Sequence, residues 1–239
     1  MISVRRIPIS GGAKNVLLFG GTFDPPHRGH IEPAFAACNA IGADCLVYIP
    51  AARSPHKQTG PTIPDADRIT LLKAAIRDSL NQGVLPDGVP HPPEVGIATI
   101  EIEAAQAGSP SYTIETLRTL RKEVPPEITF RLLIGADQAV AFHRWREPDE
   151  IAGLAEPVVM LRPPYATPES FRRALETEAP PEQCAVWLSR VVQTPILDIN
   201  ATQLREALAE ENYEAAAVRD ALTPRVIEEI RKRRLYRKQ

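Results

Sequence analysis

Short apolar runs alternate along the chain with longer stretches whose apolar residues recur every three to four positions. Asn15–Gly20 (Asn-Val-Leu-Leu-Phe-Gly) is continuous rather than alternating, the pattern of a strand covered on both faces. Cys45–Ile49, Ile97–Ile102, Thr129–Ile134 and Val158–Leu161 repeat it, and Val191–Ile199 repeats it more weakly. Helical spacing fills about 30–42, 65–81, 111–123, 137–154 and 168–178, then about 200–210 and 224–236, the last with Pro224 in its first turn. Strands alternating with helices of these lengths build βαβ units. The expected fold is therefore α/β, a doubly wound parallel sheet followed by a small C-terminal helical part.

With 239 residues, 44% hydrophobic and 24% charged, the chain has material for a sizeable core and falls outside the disordered class. Its 28 Lys and Arg against 30 Asp and Glu leave a net charge of −2, so no overall field recruits nucleic acid or an anionic membrane, and phosphate chemistry must come from a local site. The run Arg231-Lys232-Arg233-Arg234, with Arg237 and Lys238, reads as cations complementing a helix C-terminus rather than a nucleic-acid patch. Cys38, Cys45 and Cys184 have neither disulfide nor zinc spacing, which points to a reducing cytoplasm, and Cys38 reads as packing. The first residues lack the apolar core of a secretory signal, and no apolar run is long enough to span a membrane. Many of the 24 prolines cluster, and Val84–Pro93 and Ala179–Pro181 read as surface insertions. Neither is flanked by a composition shift, so residues 1–239 are expected to form one domain.

The chemistry concentrates in Gly20–His30 (Gly-Gly-Thr-Phe-Asp-Pro-Pro-His-Arg-Gly-His), between the first strand and the first helix. Ligands of such sheets bind at the carboxyl ends of strands. Gly20 and Gly21 let backbone amides approach an anion, the helix start adds partial positive charge, and His27 and His30 can each donate an N–H to phosphate. There is no G-x-x-x-x-G-K-[ST] and no G-x-G-x-x-G, and H-x-x-H without H-E-x-x-H or a third ligand does not make a zinc site. Two histidines at a helix start are, taken alone, more often structural; the flanking glycines and prolines favour the phosphate site.

Gly20–His30, with His27-Arg28-Gly29-His30, resembles the signature of the H-x-G-H nucleotidylyltransferases, and more closely that of the nicotinate mononucleotide adenylyltransferase group. Tyr48–Ala51 with Ser54–Lys57, Ser111–Leu117, Leu133–Asp137 with Trp145, Asn200–Arg205, and Leu235-Tyr236 resemble further segments of that group and span nearly the whole chain. The resemblance implies a Rossmann-like sheet of the nucleotidylyltransferase type and transfer of the adenylyl group of ATP to nicotinate mononucleotide. His27, His30, Lys57 and Arg205 would act at the phosphates. Gly20, Gly21, Thr22, Phe23, Gly29, Gly135, Asp137 and Thr202 would hold ATP, and Tyr112, Thr113 and Trp145 the acceptor. Mg²⁺ would arrive with ATP and no protein metal site is expected. The partners would be the two small substrates, with no nucleic acid or membrane, and a homo-oligomer is left open. A serine is usual in the group where Asn200 stands.

Each of these residues also has a plainer role. Asn200 is a good N-cap with Gln203 at the third helical position, and Arg205 one turn on can be a solvated cation. Lys57, beyond the second strand, and Arg68, at the start of a helix, can be surface charges. Trp145 can be core as well as a stacking platform for a pyridine ring. Ser111 can cap a helix whose first N–H groups, at Tyr112 and Thr113, suit a carboxylate. Asp137 can bind ribose hydroxyls or cap its own helix. The open alternatives are another phosphate monoester as acceptor, such as nicotinamide mononucleotide or phosphopantetheine, and a non-catalytic ATP-binding sensor.

Overall fold

The computed structural model describes residues 2–52, 60–81, 94–108 and 112–238. Lys57, Ser111 and the proline-rich stretch Val84–Pro93 lie outside them. Strands β1 (Ser3–Arg5), β2 (Asn15–Gly21), β3 (Cys45–Pro50), β4 (Glu94–Ala98), β5 (Thr129–Gly135), β6 (Glu156–Met160) and β7 (Val191–Val192) form one sheet in the order β1-β4-β3-β2-β5-β6-β7. Every neighbouring pair is parallel.

Alternate residues of β2 feed two cores. Leu17 and Phe19 pack with α1 (Arg28–Ala40), α2 (Asp65–Asn81), α9 (Ala201–Ala209), α10 (Ala216–Ala221) and α11 (Pro224–Arg233). Val16 and Leu18 face a second core, packed with α4 (Thr113–Glu123), α5 (Ala136–Val140), α6 (Pro148–Leu154), α7 (Pro168–Glu176) and α8 (Pro181–Ser189). Burial on both faces is why these strands read as continuous apolar runs, and helices on both faces make the sheet doubly wound, as expected.

Several boundaries differ from the sequence reading. Ile97–Ile102 is not one strand: β4 ends at Ala98 and α3 (Ile100–Gln106) begins after Thr99, whose carbonyl accepts the Glu103 N–H at 2.9 Å. The Ile-Glu-Ile-Glu alternation mimics a strand period over too few residues to tell it from a helix start. The segment 137–154 breaks into α5, a 3-10 turn (Phe142–Arg144) and α6: the chain is extended at Trp145, and Glu147 takes a left-handed φ of 55° ahead of Pro148, which opens α6. The strand at Val191–Ile199 shrinks to two residues at the sheet edge, before Pro195, which has no N–H for a ladder. Ala179–Pro181 is not an insertion, since Pro181 opens α8 at a position where a missing N–H costs nothing. β1, α8 and α10 were not anticipated.

All three cysteines are free and buried. Four of the basic residues between 231 and 238 are paired: Arg231 with Glu214, Arg233 with Asp67 and Glu229, Arg237 with Glu211 and Lys238 with Glu210. No helix among the described residues is long and apolar enough to cross a membrane.

Candidate functional site

Strand order reverses between β2 and β5, which opens a crevice beyond their carboxyl ends. A cavity of about 540 Å³ lies there. Gly20, Gly21, Thr22, Phe23, Asp24 and His30 line it from the β2–α1 connection, Tyr112 and Thr113 from the head of α4, and Gly135 from the end of β5. Trp145, Arg146, Arg162, Ala201 and Arg205 complete the wall. A second cavity of about 230 Å³ shares His30, Arg162 and Ala201 with it and adds His27, Gly29, Met160, Leu161, Pro195, Leu197 and Ile199. Segments near each end of the sequence therefore meet at one crevice.

The β2–α1 loop is held from behind. The Gly21 carbonyl accepts the Ala51 N–H at 2.9 Å, and the Thr22 carbonyl accepts Arg68 Nη1 at 2.6 Å. Phe23 has a φ of 49°, and its buried ring lies edge-on to Tyr48 and His30 at centroid distances of 5.6 and 5.1 Å. A Cβ on Gly21 would stand 2.9 Å from that ring, so the close turn requires glycine.

His27 and His30 lie ring against ring, centroids 3.7 Å apart. His30 Nδ1 accepts the His27 backbone N–H at 3.3 Å, which puts the proton of the neutral ring on Nε2. Gly29 makes room for the pair, since a Cβ there would come within 3.1 Å of His27 Nδ1. His27 is buried, and its Nδ1 has no hydrogen-bond partner among the described residues. Burial, and to a lesser degree the charge of Arg162, pull its pKa down to about 3, so the ring is neutral near pH 7.

Facing them, α9 starts at Asn200, whose Oδ1 accepts the Thr202 and Gln203 N–H groups at 2.9 and 3.2 Å. That is the cap expected from the sequence, made without a serine. Arg205 Nη2 donates to Thr202 Oγ1 at 3.0 Å and Nη1 to the Asp24 carbonyl at 2.8 Å. Thr202 thus supports Arg205 and is not in the wall of either cavity. Asp137 is likewise behind the wall. Its carboxylate takes two bonds from Arg162, Nε at 2.6 Å and Nη2 at 2.9 Å, and one from Gln138 at 2.9 Å. Burial pushes the Asp137 carboxyl up, but the Arg162 bonds and charge outweigh this and hold it below the usual carboxylate value.

At the α4 wall the N-cap is Tyr112, extended, with Thr113 as the first helical residue. The Arg146 guanidinium stands 5.1 Å over the Tyr112 ring. Trp145 is half-buried, backed by Phe142 with centroids 5.1 Å apart, and can stack a planar group. Lys57, expected at the phosphates, is outside the described residues.

Four important residues escaped the sequence reading. Arg68 is fully buried rather than on a solvated face. Its spacing to Leu71, Leu72 and Ala75 puts it on the apolar stripe of α2, a signal that was there to use. Arg162 stands just beyond the carboxyl end of β6, where ligand-binding residues of such sheets concentrate. Asp24 and Tyr236 meet across 212 positions, a pairing no local pattern encodes.

A family model described as cytidylyltransferase-like matches residues 18–207. A probable nicotinate-nucleotide adenylyltransferase of Chromobacterium violaceum is 31% identical over 226 residues, 92% of this chain and 97% of that protein. The nicotinate-nucleotide adenylyltransferase of Salmonella typhimurium is 31% identical over 228 residues, with the same coverage. In fold, the chain is similar to Plasmodium falciparum nicotinic acid mononucleotide adenylyltransferase complexed with NaAD, with a TM-score of 0.66, 16% identity, and coverage of 93% of this chain and 97% of that one.

Proposed function

The chain belongs to the cytidylyltransferase-like family and, within it, to the nicotinate-nucleotide adenylyltransferases, and from that premise we propose how its crevice joins ATP to nicotinate mononucleotide. The enzyme transfers the adenylyl group of ATP to the 5′-phosphate of nicotinate mononucleotide, giving nicotinate adenine dinucleotide and pyrophosphate. One observation carries the assignment of roles: Gly21, His30, Arg205, Trp145 and the Tyr112–Thr113 helix head all line one crevice.

The triphosphate lies between the β2–α1 loop and Arg205, and the adenosine extends into the smaller cavity. Met160, Leu161, Pro195, Leu197 and Ile199 give that cavity apolar walls suited to a purine. The pyridine ring stacks on Trp145 with its carboxylate at the head of α4, where the first amide N–H groups of the helix and its dipole favour an anion. An oxygen of the acceptor phosphate attacks the α-phosphorus, a new P–O bond forms, and the bond from the α-phosphorus to the bridging oxygen of the β-phosphate breaks. The second pKa of a phosphate monoester is about 6, so the nucleophile is already largely dianionic near neutrality and requires no general base. Catalysis is alignment and charge stabilisation, supplied by His30 Nε2–H and Arg205, with neutral His27 packed beneath His30.

Mg²⁺ is part of the ATP substrate in this reading, held by phosphate oxygens and water. The carboxylates at the crevice are already engaged: Asp24 with Thr62 and Tyr236, Glu101 with the Thr116 hydroxyl, and Asp137, just behind the wall, with Arg162. No step is assigned to the ion. The residues of the site and a cytoplasmic location, in keeping with three reduced cysteines, belong to the same proposal.

The test mixes the enzyme with MgATP and nicotinate mononucleotide, nicotinamide mononucleotide, phosphopantetheine or no acceptor, and follows pyrophosphate and dinucleotide together. Stoichiometric release with nicotinate mononucleotide, at the highest kcat/KM of the panel, is expected. A higher kcat/KM for another monoester moves the acceptor assignment, and ATP binding without turnover on any acceptor makes the chain a sensor.

A further inference from the structure

We propose that Asp24 and Tyr236 are positioning residues for Arg205, and that the hydrogen bond between them holds the loop after β2 where its backbone presents the Arg205 guanidinium to ATP. The inference rests on the reading of Arg205 as a phosphate ligand.

Asp24 is 5% exposed, and a buried carboxylate persists only when its oxygens are satisfied. Both are. Oδ2 accepts the Thr62 N–H at 2.6 Å and Oδ1 accepts the Tyr236 hydroxyl at 2.7 Å. The main-chain carbonyl of the same residue accepts Arg205 Nη1 at 2.8 Å, and Thr202 Oγ1 takes Nη2 at 3.0 Å. The guanidinium is thus fixed on two sides by one N–H of each terminal nitrogen, and Arg205 lines the crevice. A shift of Asp24 moves one of the two acceptors that aim Arg205.

Tyr236 is delivered to this point by an unusual backbone path. After α11 the chain turns at Arg234 with a φ of 56°, the Leu235 N–H closes on the Ile230 carbonyl at 3.1 Å, and Tyr236 itself has a φ of 66°. Bulky residues take that conformation only where their surroundings fix it. Here the reward is a hydroxyl buried against Asp24, with burial and the neighbouring carboxylate raising its pKa far above that of a free phenol. The phenol therefore stays a donor across the working pH range. A purely packing role for this tail needs only an apolar ring, whereas the hydroxyl reaches Asp24, whose carbonyl is one of the two acceptors that aim Arg205.

The experiment compares the full-length enzyme with Tyr236→Phe, Asp24→Asn, Arg205→Ala and the Tyr236→Phe/Arg205→Ala double variant, by ATP affinity in calorimetry, KM for each substrate, and Tm. Tyr236→Phe is expected to weaken ATP binding about tenfold, the size of one lost hydrogen bond to a charged group, with KM for nicotinate mononucleotide within about twofold of the parent. In the Arg205→Ala background the same change should alter ATP affinity by less than about twofold, because a residue acting through Arg205 has nothing left to aim. Asp24→Asn keeps an acceptor for Thr62 and a partner for Tyr236 and should stay within about threefold. A lower Tm with unchanged ATP affinity in Tyr236→Phe, or additive losses in the double variant, overturns the proposal. A larger loss in Asp24→Asn at unchanged Tm makes Asp24 a direct ligand contact and overturns it too. If Arg205→Ala itself leaves ATP affinity intact, the reading of Arg205 fails first, and the positioning role falls with it.

Discussion

Lowering the pH should destabilise this protein through His27 more than through an ordinary histidine. The ring is buried, its pKa is pulled down to about 3 by burial and Arg162, and its Nδ1 has no partner among the described residues to offset a proton. An unfolded histidine titrates near 6.5, so between the two values the unfolded chain holds a proton that the folded chain refuses. The sign follows: the contribution is full above about pH 6.5 and is lost as the pH falls toward 3. From pH 7 to pH 4 the loss is about 3 kcal/mol, at 1.36 kcal/mol for each pH unit below 6.5. His27→Asn removes the titration while keeping a small polar side chain. Urea denaturation of the ligand-free enzyme and this variant at pH 7, 6, 5 and 4 separates His27 from the carboxylates that titrate in both. The parent should lose about 3 kcal/mol more than the variant over this range. Equal losses would mean that His27 takes up its proton in the folded state and that the neutral, buried ring is wrong.

Two further outcomes follow from the same geometry. Gly135→Ala puts a Cβ against the Arg162 guanidinium and 2.5 Å from Asp137 Oδ1, so it should break that ion pair and lower both Tm and kcat/KM; a crystal structure of the variant with the pair intact would contradict this. Arg205→Ala should raise the ATP dissociation constant roughly 10- to 100-fold, the range for a charge-assisted bond, and calorimetry showing unchanged affinity would remove Arg205 from the site.

How much could be read in the sequence depended on how local the cause was. Strands β2, β3 and β5 were legible because both faces are covered and the apolar run is continuous. The H-x-G-H turn was legible because its glycines answer close contacts within the same turn: Gly29 clears the His27 ring and Gly21 clears Phe23. The Asn200 cap, too, is a contact over two and three residues. Illegible were features set by distant partners. Asp137 reads in sequence as a ribose ligand or a cap, and nothing local reveals the two bonds it takes from Arg162, 25 residues away. For Arg68 the burial was legible in its spacing to Leu71, Leu72 and Ala75, but not its acceptor, the Thr22 carbonyl, 46 positions earlier. The separation of α6 from the turn before it rests on the backbone of Trp145 and Glu147, which no apolar spacing encodes.

The claim everything else leans on is that His30 donates to the reacting phosphates inside a crevice built from both ends of the sequence. Its most direct measurement is the rate of nicotinate adenine dinucleotide formation by His30→Ala at saturating MgATP and nicotinate mononucleotide, with ATP affinity and Tm followed in parallel. A fall in kcat of about 10²–10³, the scale for losing one transition-state donor, with fold and ATP affinity largely kept, is the predicted result. A folded variant that retains most of its turnover would contradict it.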